Sequence, residues 1–106
     1  MLHALITQRE GQNMYGKSTD VLEAAYTEFY ESMGIRLHPV SNFTRDFEAL
    51  FEDPIDVLIV TGGGTLHPKY YVEPHKAELQ PHRDVMEERL IMYCVETVSY
   101  THLRAH

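Results

Sequence analysis

At 106 residues the chain has room for one domain, and a hydrophobic content of 43% is that of a globular protein rather than a disordered one. Nine basic residues against 16 acidic leave a formal charge of -7 with no basic run, which disfavours a nucleic-acid partner because phosphate binding rests on clustered Lys and Arg. The opening MLHALITQRE lacks the basic start and apolar length of a signal peptide, no segment approaches the ~18 apolar residues of a membrane span, and the one cysteine, Cys94, excludes an internal disulfide framework and fits a reducing cytoplasm.

In chain order, His3–Thr7 (HALIT) reads as a first strand, and the polar, glycine-containing Gln8–Lys17 as a loop leaving its carboxyl end. A helix follows. Asp20 is positioned to cap it, with Glu23 three residues on completing a capping box. Leu22, Ala25, Tyr26, Phe29, Tyr30 and Met33 form one apolar stripe of helical period, and Gly34 stands where a C′ glycine belongs. Ile35–Val40 alternates apolar and polar residues, which predicts a second strand; Pro39 removes a ladder donor and puts it at a sheet edge. Thr44 is placed to cap a short helix, Arg45–Phe51, which Pro54 ends.

Val57–Gly64 (VLIVTGGG) organises the rest. An unbroken apolar run ending in turn chemistry predicts a strand buried on both faces, as in a parallel sheet under helices. Gly62, Gly63 and Gly64 leave backbone N–H groups open at the strand's carboxyl end, where open α/β sheets bind their substrates. The order β-α-β-α-β implies right-handed crossovers and a parallel sheet. Residues 65–80 then form a long loop, and Pro81 opens a second helix running from Arg83 to Val95. Met86, Leu90, Tyr93 and Cys94 are its buried face, and Asp84, Glu87 and Glu88 set negative charge near its positive end.

The segments ITQRE (Ile6–Glu10), EFYESMGIRLHPV (Glu28–Val40), VLIVTGGG (Val57–Gly64) and HRDVMEERLI (His82–Ile91) together resemble a class I glutamine amidotransferase-like domain. Within that superfamily the likeness is to the γ-glutamyl-γ-aminobutyrate hydrolase, or peptidase C26-like, branch. It covers residues 1–96. The resemblance implies an α/β, three-layer, flavodoxin-like parallel sheet with flanking helices. It also implies a cysteine on a G-x-C-x-G elbow that attacks a γ-glutamyl amide, activated by a histidine and a glutamate, with no cofactor. Only one part of that machinery carries over: Gly62 and Gly63 match the oxyanion-loop glycines. Arg83 and Asp84 match the family's Arg-Asp pair, with a structural role. The implied partner is a small γ-glutamyl substrate, with no nucleic acid or membrane.

From Thr97 to His106 the chain departs from the family. This stretch is polar at alternate positions, unlike a buried central strand, and resembles the translated read-through of a sequencing adapter. The expectation is a family domain over 1–96, truncated before the nucleophile strand, followed by a non-native tail. A genuine short edge strand is the alternative. On either account no catalytic residue is expected in this chain.

Cys94, on the apolar face of a helix near three glutamates, is expected to be structural, since a catalytic thiol needs an electropositive, partly exposed setting. The seven histidines show no ligand spacing, so no metal site is expected. Arg9, Gly64 and His67 are candidate substrate contacts. For Arg9 a plain surface charge is the equal alternative. The glycines match neither the P-loop nor the dinucleotide fingerprint. Two functional readings result: the N-terminal part of a cysteine-dependent γ-glutamyl amide hydrolase, or a small flavodoxin-like binding module without catalysis.

Overall fold

The structure, a computed structural model, describes residues 1–61, 81–97 and 101–104. Among these, four strands form a central parallel sheet, in the spatial order Ile35–Val40, Leu2–Thr7, Val57–Val60, Thr101–Arg104. Strand β1 (Leu2–Thr7) lies between β4 (Ile35–Val40) and β5 (Val57–Val60), and β6 (Thr101–Arg104) continues the sheet beyond β5. Ala4, Leu5 and Ile6 stand beside Val57, Leu58 and Ile59, and Thr7 beside Val40.

The side-chain alternation of the inner strands creates two cores. Ala4, Ile6 and Ile59 pack on one face with Ile35 and with Tyr30 of helix α1 (Ala24–Ser32). Leu5, Leu58 and Val60 pack on the other with Val40, Ile55 and three residues of helix α2 (Pro81–Thr97): Met86, Leu90 and Cys94. Both faces of β5 are therefore covered, which is why VLIV carries no polar residue. This is the α/β, flavodoxin-like arrangement of parallel strands and flanking helices. β4 is at the sheet edge, where the missing N–H of Pro39 costs no ladder bond. Gly34, at φ +78°, makes the left-handed exit from α1 into β4.

The first connection differs from the loop and capping box read from sequence. Arg9–Gln12 and Ser18–Val21 pair as an antiparallel hairpin, β2 and β3. Its turn is closed by the Asn13 side chain, whose Oδ1 accepts from Tyr15 and Lys17 N–H at 2.9 and 3.0 Å, and by Gly16 at φ +74°. Asp20 therefore lies in a strand and caps nothing. Its carboxylate accepts from the backbone N–H and the Nδ2 of Asn42 at 2.9 and 3.0 Å, tying the hairpin to the end of β4. Helix α1 starts at Ala24, with Glu23 at the N-cap making no side-chain capping bond. Only Tyr30 of the expected stripe is buried; Leu22 and Tyr26 are half-buried, while Ala25, Phe29 and Met33 are exposed.

The expected short helix is a single 3-10 turn, Glu48–Phe51. Its start is held by Asp46, whose Oδ1 accepts from Ala49 N–H at 3.2 Å, rather than by Thr44. Phe47 and Phe51 reach α2, each pairing with the Tyr93 ring. Strand β6 pairs in parallel with β5, from Thr101 beside Val57 to Arg104 beside Val60.

Candidate functional site

The carboxyl ends of the two inner strands carry a buried polar network. Thr7 ends β1 and Thr61 follows β5, with exposures of 0% and 5%. Their bonds can be assigned completely, because each hydroxyl has one proton to give. The Thr61 hydroxyl donates to the Thr7 carbonyl at 2.8 Å and accepts from Nη2 of Arg83 at 2.7 Å. The Thr7 hydroxyl accepts from the Thr61 backbone N–H at 2.9 Å and donates to Oε2 of Glu87. Arg83 and Glu87, one turn apart on α2, complete the group: Nε lies 3.6 Å from Oε2, and both side chains are more than nine-tenths buried. Burial pushes the Glu87 carboxyl above its ordinary value, while the Thr7 hydroxyl and the Arg83 guanidinium pull it down.

The start of α2 is satisfied from a distance. Oε1 of Glu10, on β2, accepts from the backbone N–H groups of His82 and Arg83 at 3.1 and 3.3 Å. Its other oxygen meets the His82 ring. These are orphan donors of a helix N-terminus, so a carboxylate from the hairpin does the work of an N-cap and meets the positive end of the helix dipole. The hairpin thus positions α2, and α2 delivers Arg83 and Glu87 to the strand ends. The network locks the residue from which the glycine run departs.

Gly62, Gly63, Gly64 and His67 lie outside the described residues. Arg9 is on the exposed side of the hairpin and forms an ion pair with Glu23, Nε to Oε1 at 2.9 Å, with both side chains about half exposed. Arg83 is in the network and Asp84 is exposed on the outer side of α2. Cys94 is 4% exposed in the α2-side core, and burial pushes its thiol up, which keeps it protonated. No group of three or more metal-ligating side chains occurs among the described residues. His3 and His38 do meet across β1 and β4, ring nitrogen to ring nitrogen at 2.9 Å.

Sequence reasoning passed over Thr7, Glu10 and Glu87 as site residues. The signal for Glu87 was available: it stands four residues after Arg83 and beside Met86 and Leu90, on a face otherwise apolar. A charge there must be paired. Glu10 gave no such signal, because its role depends on a hairpin that reads as a loop.

A parallel sheet clad on both sides, with a buried Thr-Arg-Glu anchor at the carboxyl ends of its inner strands, defines an α/β domain of the class whose ligands bind at that edge. The family model described as Peptidase C26 matches residues 2–98, and the chain belongs to that family. Searches among curated proteins and among solved structures gave no match.

Proposed function

We propose that this chain is the N-terminal part of a cysteine-dependent γ-glutamyl amide hydrolase of the glutamine amidotransferase-like class. In this reading Gly62 and Gly63 supply backbone N–H groups to the oxyanion that forms when the amide carbonyl is attacked. Such donors are worth about 3–4 kcal/mol of transition-state stabilisation where they have been removed singly. Arg9, Gly64 and His67 are proposed contacts to the substrate. The observation that carries the proposal is membership of the peptidase C26 family over residues 2–98, joined to a buried anchor at Thr61 immediately before the glycines. A donor loop must be held still to act on developing charge, and the Thr7–Thr61–Arg83–Glu87 group is suited to hold its root.

The attacking thiolate is not assigned to Cys94, which is buried in the core and held protonated. The nucleophile and its His/Glu partners are proposed to belong to sequence that follows residue 96 in the intact gene, with residues 97–106 a non-native tail and the protein cytoplasmic. Resequencing the locus from an independent library tests this. The expected result is a frame that continues past Glu96 into an apolar strand and a G-x-C-x-G elbow; a continuing frame without that elbow refutes it. The 106-residue chain itself is expected to release no product from γ-glutamyl amides. A second reading, a small binding module without catalysis, draws support from β6, which pairs along the whole of β5 and supplies a fourth strand. It requires the 106-residue chain to be monomeric, to melt cooperatively and to have a ligand.

A further inference from the structure

Between the segment that follows β4 and the first turns of α2 lies a cleft of about 570 Å³, within the range of small-molecule sites. Phe43, Phe47, Val85 and Met86 give it apolar walls, and Arg45 and Arg89 add two exposed guanidiniums. Its rim is held in place from both sides. Asn42 is pinned by the Asp20 carboxylate, and His82 is fastened to Glu10 while its ring lies 4.9 Å from that of Phe43. Phe43 and Val85 stay 44% and 49% exposed, an apolar surface that nothing in the described fold covers.

The charge pattern is the second observation. The chain has 16 acidic residues and nine basic, so acidic partners for arginine abound. Among the described arginines Arg9 and Arg83 each take one, while Arg36 on β4 and both Arg45 and Arg89 at the cleft form no ion pair with a described residue; only the last two share a cleft. Two guanidiniums left uncommitted on one apolar cleft, in an otherwise acidic protein, make a local site for an anion. A guanidinium's planar fork matches a carboxylate in particular.

We propose that this cleft binds an amphipathic organic carboxylate, with its apolar stem against Phe43, Phe47 and Met86 and its charge received by Arg45 and Arg89. The site does not depend on the hydrolase reading, since it shares no residue with the glycine run or the Thr7–Thr61–Arg83–Glu87 network. Octanoate, its neutral isostere octanamide and octyl phosphate serve as probes, titrated into the 106-residue chain by calorimetry and by chemical-shift mapping. Octanoate is expected to bind with shifts centred on Phe43, Val85 and Arg89, and octanamide about ten-fold or more weakly, the loss of a charge-assisted contact. Arg45→Gln and Arg89→Gln should each weaken octanoate several-fold while leaving the circular dichroism spectrum unchanged, because both side chains are exposed. Val85→Asp should abolish binding by placing a charge on the apolar wall. Undetectable octanoate binding, equal affinity for octanamide, wild-type affinity in both arginine variants, or a clear preference for octyl phosphate would each overturn the assignment.

Discussion

Replacing Thr7 with valine tests the buried anchor at the strand ends directly. The two side chains are nearly the same size, so the change removes a hydroxyl without opening a cavity. That hydroxyl accepts from Thr61 N–H and donates to Glu87, at a position with no solvent exposure. The variant strands a buried amide proton and takes from a buried carboxylate oxygen its hydroxyl donor, leaving it the Arg83 guanidinium at 3.6 Å. Each unsatisfied buried group costs about 1–3 kcal/mol, and more when charged, so the expected loss is about 3–5 kcal/mol. Against a typical total of about 5–15 kcal/mol for a domain, that is a large fraction. The assay is urea unfolding followed by circular dichroism at about pH 5 and pH 8, comparing midpoints at a common slope. The acid arm adds a sign. Glu87 is already pushed up by burial, and valine removes a hydrogen bond that pulls it down, so protonation comes more readily in the variant. The penalty should therefore be smaller at the lower pH. A loss under about 1 kcal/mol, equal at both pH values, would mean the hydroxyl makes no bond worth the name and the network is misassigned.

Glu87→Gln should change the pH profile. The folded-state carboxyl titrates above its ordinary value near 4.5, so its contribution is present below that value and is lost as pH rises through the raised one. Wild-type stability relative to the variant should accordingly fall as the pH is raised above about 4.5; a flat difference would contradict the buried assignment. Cys94 should resist a thiol reagent such as DTNB in native buffer and react fully in urea, since it is buried and its thiol is pushed up; prompt labelling of the folded chain would put it at the surface. Arg9→Ala should cost less than about 1 kcal/mol by thermal melting, because its pair with Glu23 is half exposed and screened. Leu90→Ala, at a site with no exposure in the α2-side core, should cost about 2–5 kcal/mol in the same measurement.

The elements legible in the sequence are those whose cause is local or periodic. Val57–Val60 announces a doubly buried strand because every residue in it is apolar, and Pro81 with the spacing of Met86, Leu90 and Cys94 announces α2. Gly34 marks the end of α1 because only a residue without Cβ adopts φ +78° cheaply. The parallel sheet then follows from the alternation of strands and helices.

What the order of residues does not contain is which polar groups meet. Asp20 and Glu23 have the spacing of a capping box, yet Asp20 is drawn into a hairpin strand and spends its carboxylate on Asn42, because pairing β2 with β3 satisfies more backbone groups than one more helical turn would. Glu10 caps a helix that begins 71 residues later, since its Oε1 reaches His82 and Arg83 only once β2 packs against the start of α2. Thr7 and Glu87, 80 positions apart, become partners because the sheet ends and α2 leave them no water to bond to. Local chemistry chose the elements. Burial of their polar ends, a property of the assembled layers alone, chose which polar groups meet.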